Sequence, residues 1–82
     1  MAGFSYVYML TSEVRSEAHY VGLTDNLKSR VSDHNAGRVS HTSQFRPWRI
    51  KTAVAFTDRA RVAEFERYLK SSSGRAVAKK HF

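Results

Sequence analysis

Apolar residues fall along this chain in a few short blocks, and the spacing inside each block predicts the element it forms. From Phe4 to Leu10, Phe4, Tyr6, Tyr8 and Leu10 share one parity while Val7 and Met9 share the other, the pattern of a strand buried on both faces. The polar stretch Thr11 to Glu17 interrupts it, and His19 to Leu23 resumes with aromatic and β-branched residues. Together the two segments predict an antiparallel hairpin with a somewhat long loop, which puts Tyr8 and Tyr20 on adjacent strands.

Thr24 or Asp25 is placed to cap a helix beginning at Asn26, because a side-chain oxygen there accepts a free backbone N–H of the first turn. Gly37 ends that helix. Leu27, Arg30, Val31 and His34 stand at i, i+3, i+4 and i+7, so the stripe that packs on the sheet carries two polar side chains with it. A loop rich in Ser, Thr, Arg and His follows from Arg38 to Pro47. Between Trp48 and Phe56 the period is two, with Trp48, Ile50, Thr52, Val54 and Phe56 on one face. Asp58 opens a second helix to about Lys70 whose inner face holds Val62, Phe65, Glu66 and Leu69. Ser71 to Gly74 breaks it, and Arg75 to Lys80 forms a short third helix. The order β-β-α-β-α-α predicts an α+β fold, a small three-stranded antiparallel sheet flanked by helices, as one domain over residues 1–82.

Composition narrows the chemistry. Apolar residues are 41% of the chain, enough for one compact core without covalent staples. The absence of Cys excludes disulfides, thiolate zinc sites and thiol nucleophiles together. His19, His34, His41 and His81 match no short zinc motif. No segment approaches the ~20 apolar residues that span a bilayer, so the chain reads as a soluble cytoplasmic protein with no membrane partner. Fourteen Lys and Arg against seven Asp and Glu give a net charge of +7, which favours a polyanionic partner such as nucleic acid. After Glu66 no acid follows, whereas Arg67, Lys70, Arg75, Lys79 and Lys80 do, a stripe suited to phosphate contacts or, more simply, to solubility.

Several single residues have two readings. Glu66 on an apolar face is either a surface acid paired with Lys70 at i+4 or a metal ligand, since one carboxylate with several waters is enough for Mg²⁺. Arg30 on an inner face is either ion-paired with Asp33 or Glu66, or is a phosphate binder. His34 either carries a proton near neutral pH or hydrogen-bonds a carbonyl at the sheet edge. Tyr8 and Tyr20 are either a packed cross-strand pair or bases whose phenol pKa of about 10 is depressed by cations such as Arg30.

Tyr6-Val7-Tyr8, the run Tyr20-Val21-Gly22, and Arg30, His34 and Asn35 behind it resemble the two motifs and the following helix of the GIY-YIG nuclease family. Arg46-Pro47-Trp48 and the segment from Glu66 to Lys70 are similar to its small stand-alone bacterial members, relatives of the nuclease of nucleotide-excision repair. The resemblance implies a divalent-metal-dependent endonuclease that cuts DNA by a one-metal mechanism, in a DNA repair or recombination setting. Glu66 would hold Mg²⁺ or Mn²⁺, Tyr8 or Tyr20 would orient or deprotonate the attacking water, Arg30 would bind the scissile phosphate, and His34 would assist proton transfer. Gly22, Lys28, Arg46, Lys70, Arg75, Lys79 and Lys80 are the expected nucleic-acid contacts, with Gly22 leaving room for the substrate backbone, and His41 lies where some members keep a functional histidine. Two positions depart from the pattern: Tyr6 replaces the first motif's glycine, and Ser73 or Arg75 stands where some members carry an asparagine. The other readings are a non-catalytic nucleic-acid-binding module on the same scaffold and a subunit that needs a protein partner to cut.

Overall fold

The computed structural model describes residues 3–82, Ser72 by its backbone alone. Its elements are β1 (Ser5–Ser12), β2 (His19–Thr24), α1 (Leu27–Asn35), a 3₁₀ turn (Ser43–Phe45), β3 (Trp48–Phe56), α2 (Arg59–Lys70) and α3 (Ser72–His81). The sheet runs β2-β1-β3, with β1 antiparallel to both neighbours. This is the α+β arrangement that the order of the blocks predicts.

The alternation in β1 decides the layering. Val7, Tyr8, Met9 and Leu10 are each no more than 6% exposed, so the central strand is covered on both faces. On one face Val7 and Met9 meet Val62 and Leu69 of α2 and Ala78 of α3, with Phe56, Phe65 and Phe82 around them. On the other, Tyr8 and Leu10 meet Trp48, Tyr20, Leu27, Val31 and Phe45. The sheet is therefore a middle layer, with α1 and its following loop on one side and α2 and α3 on the other.

Strand β3 departs from its regular sequence period. Met9 pairs with Thr52 but Leu10 pairs with Ile50, so Lys51 is an extra residue in a β-bulge. One inserted residue reverses the parity of everything beyond it. Phe56 consequently packs with the α2–α3 side and Trp48 with the α1 side, although the sequence puts both on one face.

Local polar chemistry moves three boundaries. The cap of α1 is Asn26, whose Oδ1 accepts from Ser29 N at 3.0 Å. Thr24 Oγ1 instead accepts from Asn26 N at 3.1 Å, and Asp25 is held by Ser5 and Arg59. Strand β1 runs past Leu10 because Ser12 is a folding centre: its Oγ donates to the Phe45 carbonyl at 2.6 Å and accepts from the N–H groups of Val14 and Arg15. Helix α3 begins at Ser72, ahead of Arg75, because Ser71 both ends α2 and caps α3, its Oγ accepting from Gly74 N at 3.2 Å. Gly37, at φ 79°, follows the end of α1 in the left-handed conformation that terminates helices. The Arg46–Pro47 peptide bond is cis. Among the described residues no helix is long and apolar enough to cross a membrane.

Asn35 ties α1 to the sheet. Its amide donates to the Trp48 carbonyl at 3.0 Å and accepts from Trp48 N at 2.6 Å, imitating one more rung of a β-ladder at the start of edge strand β3. Trp48 is buried, so both backbone groups lose their partner if the amide is removed. Asn35→Ala is expected to lower the unfolding free energy by about 1–3 kcal/mol in urea titrations. A loss below about 0.5 kcal/mol, the range of neutral surface substitutions, would show that the amide is not the anchor.

Candidate active site

Four of the five residues singled out from the sequence meet on the α1 face. His34 is completely buried and needs a partner for each ring nitrogen. Thr42 Oγ1 donates to the Val39 carbonyl at 3.2 Å, so toward His34 Nδ1, 2.8 Å away, it acts as acceptor and that nitrogen carries the proton. Nε2 is then bare and accepts from the Tyr8 hydroxyl at 3.0 Å. The phenolic oxygen in turn accepts from Arg30 Nε at 3.4 Å. One directed chain thus runs from Arg30 through Tyr8, His34 and Thr42 to Val39.

Burial sets the charge states along it. Burial, aided by the Arg30 charge, pushes the His34 pKa below its ordinary value, so the ring is neutral at pH 7. Burial also raises the Tyr8 pKa, outweighing the opposite pull of the Arg30 hydrogen bond. The depression of this phenol that Arg30 could have supplied is therefore not realised, because Tyr8 is fully enclosed. The bond to Tyr8 in return raises the pKa of Arg30.

Tyr20 is half-buried beside this chain, its ring centroid 4.7 Å from that of His34 and 6.1 Å from that of Tyr8. His41 stands on its other side at 5.8 Å, which brings the loop histidine to the cluster. Gly22 lies opposite Tyr8 in the β1–β2 ladder, and a Cβ there would collide with the hydroxyl end of the Tyr8 phenol. The space that glycine leaves is thus taken by the phenol of the neighbouring strand. Arg30 is 37% exposed and lies 3.9 Å from Asp33, which Arg38 holds more closely at 3.0 Å. Its guanidinium is fixed by Tyr8 yet only loosely neutralised.

Glu66 comes from the opposite layer. Its carboxylate, 19% exposed, pairs with Lys70 Nζ at 2.8 Å, the i+4 contact that the sequence suggests. It still contributes to raising the Tyr8 pKa, so it lies within electrostatic reach of the cluster, although no hydrogen bond joins the two among the described residues. Of the expected nucleic-acid contacts, Lys28 is exposed on α1, and Arg46 is turned to its own loop, donating to the Ser43 carbonyl at 2.8 Å. Lys80 is exposed on α3, while Lys70, Arg75 and Lys79 border one groove on the α2–α3 side.

Residues 4–80 match the family model described as the GIY-YIG catalytic domain. The chain belongs to the GIY-YIG family. A curated relative, the structure-specific endonuclease subunit SLX1 of Ajellomyces capsulatus, is 33% identical over 69 residues, covering 77% of this chain and 16% of that protein. The chain therefore spans about one sixth of the length of the relative it matches. No solved structure matches it at a comparable level.

In this GIY-YIG domain sequence reasoning passed over Thr42, which is buried and selects the His34 tautomer. The available signal was indirect: an inward-facing His at the end of a helix needs a second polar partner, and the loop behind it is rich in hydroxyls. Thr42→Val is expected to cost about 1–3 kcal/mol by stranding the Nδ1 proton, with Thr42→Ser recovering most of it in the same thermal or urea melts.

The depressed His34 pKa has a defined sign in stability. A neutral buried imidazole contributes fully above the unfolded value of about 6.5, and that contribution is lost as pH falls through the lower folded value. The melting temperature of the parent chain is expected to fall more steeply between pH 7 and 5 than that of His34→Gln. Parallel slopes would mean that another group governs acid sensitivity.

Proposed function

We propose that this chain is a divalent-metal-dependent endonuclease that hydrolyses phosphodiester bonds of DNA with a single metal ion. The observation that carries the reading is the cluster of Arg30, Tyr8, Tyr20 and His34 on a GIY-YIG scaffold. A partly exposed guanidinium fixed by a buried phenol offers a scissile phosphate positive charge that is oriented before the substrate arrives.

Hydrolysis joins a water oxygen to phosphorus and breaks the bond from phosphorus to one bridging sugar oxygen, leaving a phosphate end and a hydroxyl end. Of the two phenols only Tyr20 has solvent access, so its oxygen orients the attacking water. Tyr8 fixes Arg30 through its hydrogen bond, and neutral His34 holds the Tyr8 proton at Nε2. Arg30 binds the nonbridging oxygens as their charge grows.

Glu66 fits the metal role by its own chemistry, as a hard carboxylate that already attracts a cation, Lys70. Among the described residues no group of three or more His, Asp, Glu or Cys could hold a metal ion, so Glu66 would act with water ligands, an arrangement that suits Mg²⁺ or Mn²⁺. When bound, such an ion neutralises charge on phosphorus and on the leaving oxygen. The fungal relative's designation as a structure-specific endonuclease subunit supports a substrate recognised by its structure, and the word subunit supports a protein partner.

The Glu66–Lys70 pair favours one other reading, a nucleic-acid-binding module that cuts nothing, because that contact satisfies the carboxylate without metal. The test is incubation of the chain and its Glu66→Ala variant with labelled single-stranded, duplex and branched DNA, in Mg²⁺ or Mn²⁺ and in EDTA. Cutting by the parent alone, abolished by EDTA and reduced about 10²–10³-fold in kcat by Arg30→Ala, is expected. Salt-sensitive binding by parent and variant with no cutting on any substrate would establish the binding module.

A further inference from the structure

A groove of about 710 Å³ opens on the α2–α3 side of the sheet, where β2 begins. Its floor is apolar, formed by Met9, Leu69 and Ala78. Lys51 enters from β3, Lys70 from the end of α2, and Arg75 and Lys79 from α3. Lys51 is the residue that the β-bulge leaves outside the β1–β3 register. Bulges re-aim side chains, and this one sets a cation into the groove wall.

We propose that this groove binds an unpaired nucleotide of a DNA strand, its phosphate held by Lys51, Arg75 and Lys79 and its base against the apolar floor; the inference rests on the nuclease reading and names a substrate class for it. Three observations carry it. Among the described residues Lys51, Arg75 and Lys79 have no carboxylate partner, and the acid in the lining, Glu17, is held by Arg15 at 2.7 Å. The volume falls in the range of about 300–1,000 Å³ that encloses a group of small-molecule size, so a single nucleotide fits where a duplex can only lie across a face. The groove also adjoins two residues of the proposed reaction centre: Tyr20 lines it, and Lys70, on its border, is paired with Glu66. A cationic wall beside an aromatic side chain is the combination by which proteins hold single strands, and in this lining Tyr20 is the aromatic residue next to the apolar floor.

Recognition of this kind selects DNA in which a base is already unstacked, such as a flap, an overhang or a junction. The measurement is fluorescence anisotropy in EDTA, which keeps binding separate from cutting, with a labelled blunt-ended duplex of two strands and the same duplex bearing a four-nucleotide single-stranded overhang at one end. The overhang is expected to tighten binding by about tenfold, the worth of one well-stacked base. The double variant Lys51→Ala/Lys79→Ala should lose that increment, and its salt slope on the overhang substrate should fall by about 0.7 for each cation removed. Methyl NMR signals of Met9, Val21 and Leu69 should shift with the overhang substrate and stay in place with the blunt one. Equal affinity for the two substrates, or a variant that weakens both equally, would overturn the proposal and mark a general basic surface. Metal-dependent cutting would survive that result, and an overhang preference in a chain that never cuts would leave the groove standing while removing the nuclease.

Discussion

The fold of the α1 face depends on the requirement that buried His34 be fully hydrogen-bonded. Its two nitrogens are satisfied from different parts of the chain, by Tyr8 in the central strand and by Thr42 in the loop behind α1. A half-satisfied buried network destabilises, whereas a complete one specifies a single arrangement, so β1, α1 and the loop are fixed relative to one another. No buried side-chain nitrogen or oxygen among the described residues lacks a partner. The same network orients Arg30, because the phenol that serves His34 also accepts the Arg30 N–H. Stability and the fixed orientation of the Arg30 cation have one physical origin here.

The second organising fact is the two-faced central strand. Tyr8 and Leu10 supply the polar cluster's surroundings, while Val7 and Met9 supply the apolar seat of α2 and α3. Residues adjacent in sequence thus build opposite layers, and the Tyr8–His34 cluster and the groove meet at Tyr20, which belongs to the one and lines the other. The bulge at Lys51 belongs to the same arrangement. It lets one edge strand give Trp48 to one layer and Phe56 to the other, and it turns a lysine toward the groove.

Electrostatics divides the basic surface into cations of different use. Arg46 is oriented by a hydrogen bond to its own loop, and Lys70 is neutralised by Glu66. Lys51, Arg75 and Lys79 remain unpaired among the described residues and share one concavity.

Much of the domain was legible in the sequence because its signals are local. Parity within β1 and the i, i+3, i+4, i+7 stripe of α1 depend only on the repeat of a strand or a helix, and they gave the fold class and the inward placement of Arg30 and His34, while the residue types of the two motifs carried the resemblance to the family. What the tertiary structure alone decided are relations between distant segments. The partners that fix the tautomer of His34, the enclosure that raises the pKa of Tyr8, the bulge that reverses β3, and the opposite layer from which Glu66 approaches all arise when separate elements pack and exclude water. A sequence period states which way a side chain points from its own backbone; it carries no information on what will stand there to meet it.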